Sequence, residues 1–167
     1  MPKVYTYTTK ARRDGKPPLK CGVCREDILP GQKRYEYEFR YGGKRVRHVT
    51  CGYPKRSELT QSKMSSVYAT IEGIEGSWGD STQEIAMNLQ AIIDTVEEVK
   101  TEYEEAAENF GNAGPSQEMA DELDMFQSTL ESALSEVENM EREEDEDVDD
   151  FLQRVIEVAQ GAVDECP

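Results

Sequence analysis

The spacing of apolar and polar positions changes period once along this chain. Over residues 3–9, Lys-Val-Tyr-Thr-Tyr-Thr-Thr, β-branched and aromatic residues alternate with period two, which predicts a short strand. Residues 32–49 predict a hairpin. Tyr35, Tyr37, Phe39 and Tyr41 alternate with Glu36, Glu38 and Arg40, Gly42-Gly43 offers a turn at which positive φ is cheap, and Lys44 to Val49 return. One face of such a sheet must be buried, so the hairpin aromatics are expected to form a small core. Residues 10–20, basic and interrupted by Gly and Pro, predict a loop or arm.

From Leu59 onward the period is helical. Met64, Val67, Ile71, Ile74 and Trp78 recur three and four apart, and Gly73, Gly76 and Gly79 weaken the end of that helix. Ser81-Thr82-Gln83-Glu84 has the form of a capping box. Ile85, Leu89, Ile92, Val96, Val99, Tyr103, Ala106 and Phe110 follow it in strict 4-3 alternation. The helix breaks at residues 111–114, and Pro115 suits a first helical position. Met119, Leu123, Phe126, Leu130, Ala133, Val137 and Met140 then repeat the alternation. Two such helices joined by a short turn predict an antiparallel hairpin. After the charge run 141–150, Phe151, Leu152, Val155, Ile156, Ala159 and Val163 predict a last helix that packs back on it.

Charge divides the chain at the same place. Residues 1–63 carry 16 Lys and Arg against 6 Asp and Glu, a net of +10, whereas 64–167 carry 3 against 29, a net of −26. No apolar run approaches the ~20 residues of a membrane span, and the start Met-Pro-Lys-Val-Tyr lacks an apolar signal-peptide core. A cytoplasmic protein without membrane contact is expected, as monomer or homodimer.

The candidate chemistry lies in the basic part. Cys21-x2-Cys24 and His48-x2-Cys51 are chelating pairs separated by the hairpin, which brings them to one point. Three Cys and one His form a closed tetrahedral donor set, so one structural Zn²⁺ is expected. Lys20, Arg25 and Arg47 can offset the net −1 of three thiolates and the ion. A redox reading of Cys-x-x-Cys is disfavoured because Ile28-Leu29-Pro30-Gly31, turn chemistry rather than a helix, follows it. The chain's one histidine is used as a ligand, so no histidine remains as a general base or to activate a nucleophile, and no phosphate-cradling Gly-rich loop occurs. Binding rather than catalysis is expected. Cys166 reads as a thiol on a frayed terminus.

Cys-x2-Cys, then Ile28 and Gly31, a hairpin and His-x2-Cys resembles a treble-clef zinc finger, similar to those at the front of poly(ADP-ribose) polymerases, over about residues 19–56. The resemblance implies ligand roles for Cys21, Cys24, His48 and Cys51. The overall arrangement also resembles small zinc-finger and helical proteins encoded by bacteriophages, which implies a host-cytoplasm location. The expected fold class is α+β: a small N-terminal treble-clef zinc module (β-hairpin plus helix) followed by an acidic antiparallel α-helical hairpin with a C-terminal helix. The expected organisation is a strand and basic arm over 1–20, the finger over 21–58, a connecting helix and Gly-rich linker over 59–79, and the acidic helices over 80–167.

Two kinds of partner follow. Nucleic acid suits the basic residues 1–63, with Arg12, Arg13, Lys44, Arg45 and Arg47 as expected phosphate contacts and the tyrosines as base-stacking groups. Alternatively the protein is a protein-interaction adaptor. In that reading the acidic helices of 80–167 meet a basic protein, mimic nucleic acid, modulate a host protein in the phage case, or shield the chain's own basic module.

Overall fold

The computed structural model describes residues 2–11, 17–39, 42–109 and 114–167. The expected contacts at Arg12 and Arg13, and the aromatic positions Tyr41 and Phe110, lie outside them. The chain divides into two compact units, Met1–Gln61 and Ser62–Pro167.

The first unit is built on a three-stranded antiparallel sheet ordered β1 (Tyr5–Thr8), β4 (Lys33–Phe39), β5 (Gly43–His48). The alternating segments pair as their period predicts. Tyr35 faces Arg47, Tyr37 faces Arg45, and the ladder closes at Phe39 opposite Gly43, whose φ of 73° is the left-handed conformation expected of the turn glycines. On one face Tyr37 and Phe39 are buried with Leu59, and Val4 packs against them. This is the small aromatic core. Within the expected arm, Leu19–Lys20 instead forms a strand, β2, paired with β3 (Asp27–Ile28) around the first cysteine pair. The helical part of this unit consists of two 3₁₀ turns, Val49–Cys51 and Ser57–Leu59. Gly52, at φ 83°, and Pro54 separate them and prevent one continuous helix.

Among the described residues the second unit has four helices, α1 (Met64–Ile74), α2 (Thr82–Asn109), α3 (Pro115–Asn139) and α4 (Val148–Val163). The capping box forms with one shift. Ser81 Oγ accepts from the Glu84 amide at 3.2 Å, while the Glu84 carboxylate accepts from the Asp80 amide at 2.7 Å rather than from that of Ser81. The stripe residues Ile85, Leu89, Ile92, Val96, Leu123, Leu130 and Val137 are completely buried. Ile93, Ala107 and Ala120 are buried as well, outside the 4-3 seam. The reason is that α2 packs on α1 and α4 as well as on α3, so its buried face is wider than a two-helix seam. The expected connecting helix is therefore a full member of this unit, with Met64, Val67, Tyr68, Ile71 and Trp78 in its core.

Cys166 corrects the expectation of a frayed thiol. It is 9% exposed, in the same core, and the Tyr68 hydroxyl donates to the Pro167 carbonyl at 2.5 Å. Among the described residues no helix is long and apolar enough to cross a membrane.

Candidate metal centre and basic surface

The first cysteine pair sits in a turn between β2 and β3. The Cys21 amide donates to the Glu26 carbonyl and the Arg25 amide to the Cys21 carbonyl, at 2.8 and 3.0 Å. Closing so tight a loop requires a left-handed residue, and Arg25 takes that place at φ 63°. The Gly22 amide then donates to the Val46 carbonyl at 2.9 Å, fastening the turn to β5. Here β5 ends at His48, and the 3₁₀ turn that follows brings Cys51 round to the same point.

The four ligand atoms of Cys21, Cys24, His48 and Cys51 all lie within 4.8 Å of one another. Cys21 Sγ is 3.8 Å from Cys51 Sγ, and His48 Nδ1 is 3.4 Å from Cys24 Sγ and 4.0 Å from Cys51 Sγ. A tetrahedral ion with Zn–S of about 2.3 Å and Zn–N of about 2.0–2.1 Å needs S···S edges near ~3.8 Å and S···N edges near ~3.5 Å. Of these three of the tetrahedron's six edges, two match closely and the third is a few tenths of an ångström long; with all four atoms inside 4.8 Å the cluster is compatible with one tetrahedral ion of the zinc type, with Nδ1 as the nearer histidine nitrogen to Cys24 and Cys51.

The surroundings favour thiolate on one side of the cluster. Burial alone pushes the Cys21 thiol up, but the amides of His48, Val23 and Cys24 outweigh it, and the group is lowered to about 6. Two of these bonds are explicit, with the His48 and Val23 amides 3.4 and 3.5 Å from Sγ. Cys51 is pushed up to about 11, by desolvation first and then by Cys21 and Cys24. Without a cation the sulfurs oppose one another's ionisation, and a bound divalent ion removes that opposition.

Of the expected offsetting cations, Arg47 has another task. It is 7% exposed, donates to Glu58 Oε2 at 2.6 Å and to the Cys51 carbonyl at 2.8 Å, and its Nε has no partner among the described residues. Arg47 lies opposite Tyr35 on the face that carries Tyr37 and Phe39, and Arg45 shares that face yet stays exposed, so it is the bonds to Glu58 and the Cys51 carbonyl that bury Arg47. Its guanidinium bridges the second ligand pair and the turn containing Glu58, which leaves only 7% of this expected phosphate-contact residue exposed.

Lys44 and Arg45 remain on the surface. Lys44 is paired with Glu36 yet half-exposed, and Arg45 lies over the Phe39 ring at 5.8 Å. Together with Lys20, Val23, Arg47 and the Glu58 carboxylate that Arg47 pairs with, they line an open cleft of about 310 Å³ beside the first cysteine turn. Neither Lys20 nor this cleft was singled out as a contact site by sequence reasoning. The signal available was the adjacency of Lys20 to Cys21, which any turn bound to β5 must carry toward Lys44.

No protein-family model, curated protein or solved structure matches the chain, so the resemblance to poly(ADP-ribose) polymerase fingers rests on the four ligands and the hairpin alone.

Proposed function

We propose that the first unit is a Zn²⁺-held finger that binds nucleic acid, and that the protein works by binding rather than catalysis. The observation that carries this reading is the cleft beside the metal centre, where Lys20, Lys44 and Arg45 converge within a stretch, residues 1–63, of net charge +10. Phosphate contacts dominate affinity for nucleic acid and need cations held in register. The metal supplies that register, because Lys20 adjoins the ligand Cys21 while Lys44 and Arg45 belong to the strand that ends in the ligand His48. Arg12 and Arg13 extend the same basic stretch in sequence.

A basic protein partner for the second unit is the second reading. Its α2, α3 and α4 carry most of the 29 carboxylates, largely exposed, and Lys100 and Arg154 are already paired with Asp124 and Glu146.

Binding of labelled DNA and RNA by the zinc-loaded full chain across a salt series tests the first reading. Affinity is expected to fall steeply as salt rises, and Lys44→Ala with Arg45→Ala is expected to flatten the slope by roughly one to two. Absence of binding at low salt to every nucleic acid tried would remove this reading. A protein partner captured in a nuclease-resistant form through the second unit would support the other.

A further inference from the structure

The sheet of the first unit has a second face, and it carries what the cleft lacks. Register places Tyr5 opposite Glu36 and Glu36 opposite Val46, and Tyr7 opposite Arg34 and Arg34 opposite His48. These residues therefore share the face opposite Tyr35, Tyr37 and Phe39. The aromatics of the other face are used: Tyr37 and Phe39 are buried, and Tyr35 meets the Tyr53 ring edge-on at 5.2 Å. Tyr5 and Tyr7 instead stand 52% and 43% exposed.

Their setting is built. Arg34 lies 5.5 Å from the Tyr7 ring centre and donates to Thr9 Oγ1 at 3.1 Å and to Glu36 Oε2 at 2.9 Å. The other Glu36 oxygen takes Lys44. This chain of contacts holds Arg34 in place beside the Tyr7 ring and offsets the charge of Glu36. Lys3, Tyr5, Tyr7, Glu36 and Glu38 line a groove of about 380 Å³ that also reaches Tyr37 of the other face.

Building on the proposed nucleic-acid binding, we infer that the ligand is a single strand, with Tyr5 and Tyr7 stacking two successive bases. The ring centres are 6.2 Å apart and the ring planes tilted by 34°. That spacing is nearly twice the ~3.4 Å rise per base along one strand of a duplex. Stacked bases of a duplex cannot match it, and an extended single strand can. Every base has a π-face, so such a platform is tolerant of sequence. Bases rather than phosphates lie over Glu36 and Glu38, and the backbone passes Lys3, the cation that lines the groove.

The test is fluorescence anisotropy with the zinc-loaded full chain and labelled oligo(dT), oligo(U) and a duplex of equal length. Single strands are expected to bind about tenfold or more tightly than the duplex, the two oligomers reporting whether the sugar matters. Tyr5→Leu with Tyr7→Leu is expected to weaken single-strand binding about tenfold or more, while Tyr5→Phe with Tyr7→Phe retains it. Duplex bound as tightly as either single strand by the unmutated chain, or leucine variants that bind like it, would overturn the single-strand inference and leave the basic cleft standing. Failure of the unmutated chain to bind any of the three would remove both.

Discussion

Replacing Arg47 by Met separates a structural arginine from a surface one. The guanidinium makes two hydrogen bonds, to Glu58 and to the Cys51 carbonyl, from a side chain that is 7% exposed. Hydrogen bonds involving a charged group contribute about 1.5–3 kcal/mol each. Three features reduce the loss. The Glu58 side chain is 38% exposed and can rehydrate, Met retains most of the apolar stem, and the buried Nε that lacks a partner is removed with the rest. The net effect expected on the first unit is about 2 kcal/mol. Metal binding and folding are linked, so the same figure is about a 30-fold loss of apparent zinc affinity, at 1.4 kcal/mol per factor of ten. Competition with a chromogenic chelator at neutral pH reads this directly. Arg45→Ala, on the surface two residues away, is expected to change zinc affinity less than about twofold. If Arg47→Met held zinc as tightly as the unmodified chain, the bridging role assigned to Arg47 would be refuted.

Three further outcomes are expected. Ser81→Ala removes the hydroxyl that accepts from the Glu84 amide and should cost the second unit about 1 kcal/mol, roughly 3–6 °C in Tm by circular dichroism; an unchanged Tm would mean that the cap contributes nothing. Leu89→Ala opens a cavity at a fully buried position and should cost about 2–5 kcal/mol in denaturant unfolding followed by Trp78 fluorescence, so a loss under 1 kcal/mol would contradict the packing described. Burial pushes the Glu36 carboxyl up, but its hydrogen bonds from Lys44 and Arg34 prevail and hold it below the usual range. A lowered native pKa gives stability that is present above the unfolded value of about 4.3 and lost as pH falls through the native one. Glu36→Gln should therefore destabilise near neutral pH, with the difference from the unmodified chain closing below about pH 4; a pH-independent difference in unfolding free energy would contradict this sign.

The residues that declared themselves in sequence are those whose spacing is also their geometry. Cys21, Cys24, His48 and Cys51 are two chelating pairs whichever way the hairpin twists, and the 4-3 rows of residues 85–99 and 119–137 had to lie along one helix face. Arg47 was harder to read because charge type suggested surface. Its parity with Tyr37 and Phe39 is shared by the exposed Arg45, so period alone did not separate the two; what buries Arg47 is the Glu58 turn, eleven residues further along the chain. Cys166 continues the stripe of Val155, Ala159 and Val163 at helical spacing, and this outweighs its nearness to the chain end. The packing of α1 was not legible, because an amphipathic segment shows which face it buries and not what it buries that face against. The same limit applies to Tyr5 and Tyr7: period two assigned them to one face, and only pairing with β4 showed that the covered face is the other one.

The central claim is that one metal ion ties the two ligand pairs together and that the first unit folds around it. Native mass spectrometry of the purified full chain, combined with hydrogen exchange before and after a strong chelator, tests it most directly. One zinc per chain is expected, with loss of amide protection across residues 1–61 on chelation while 62–167 stay protected. A chain free of zinc whose residues 1–61 keep their protection in chelator would contradict it.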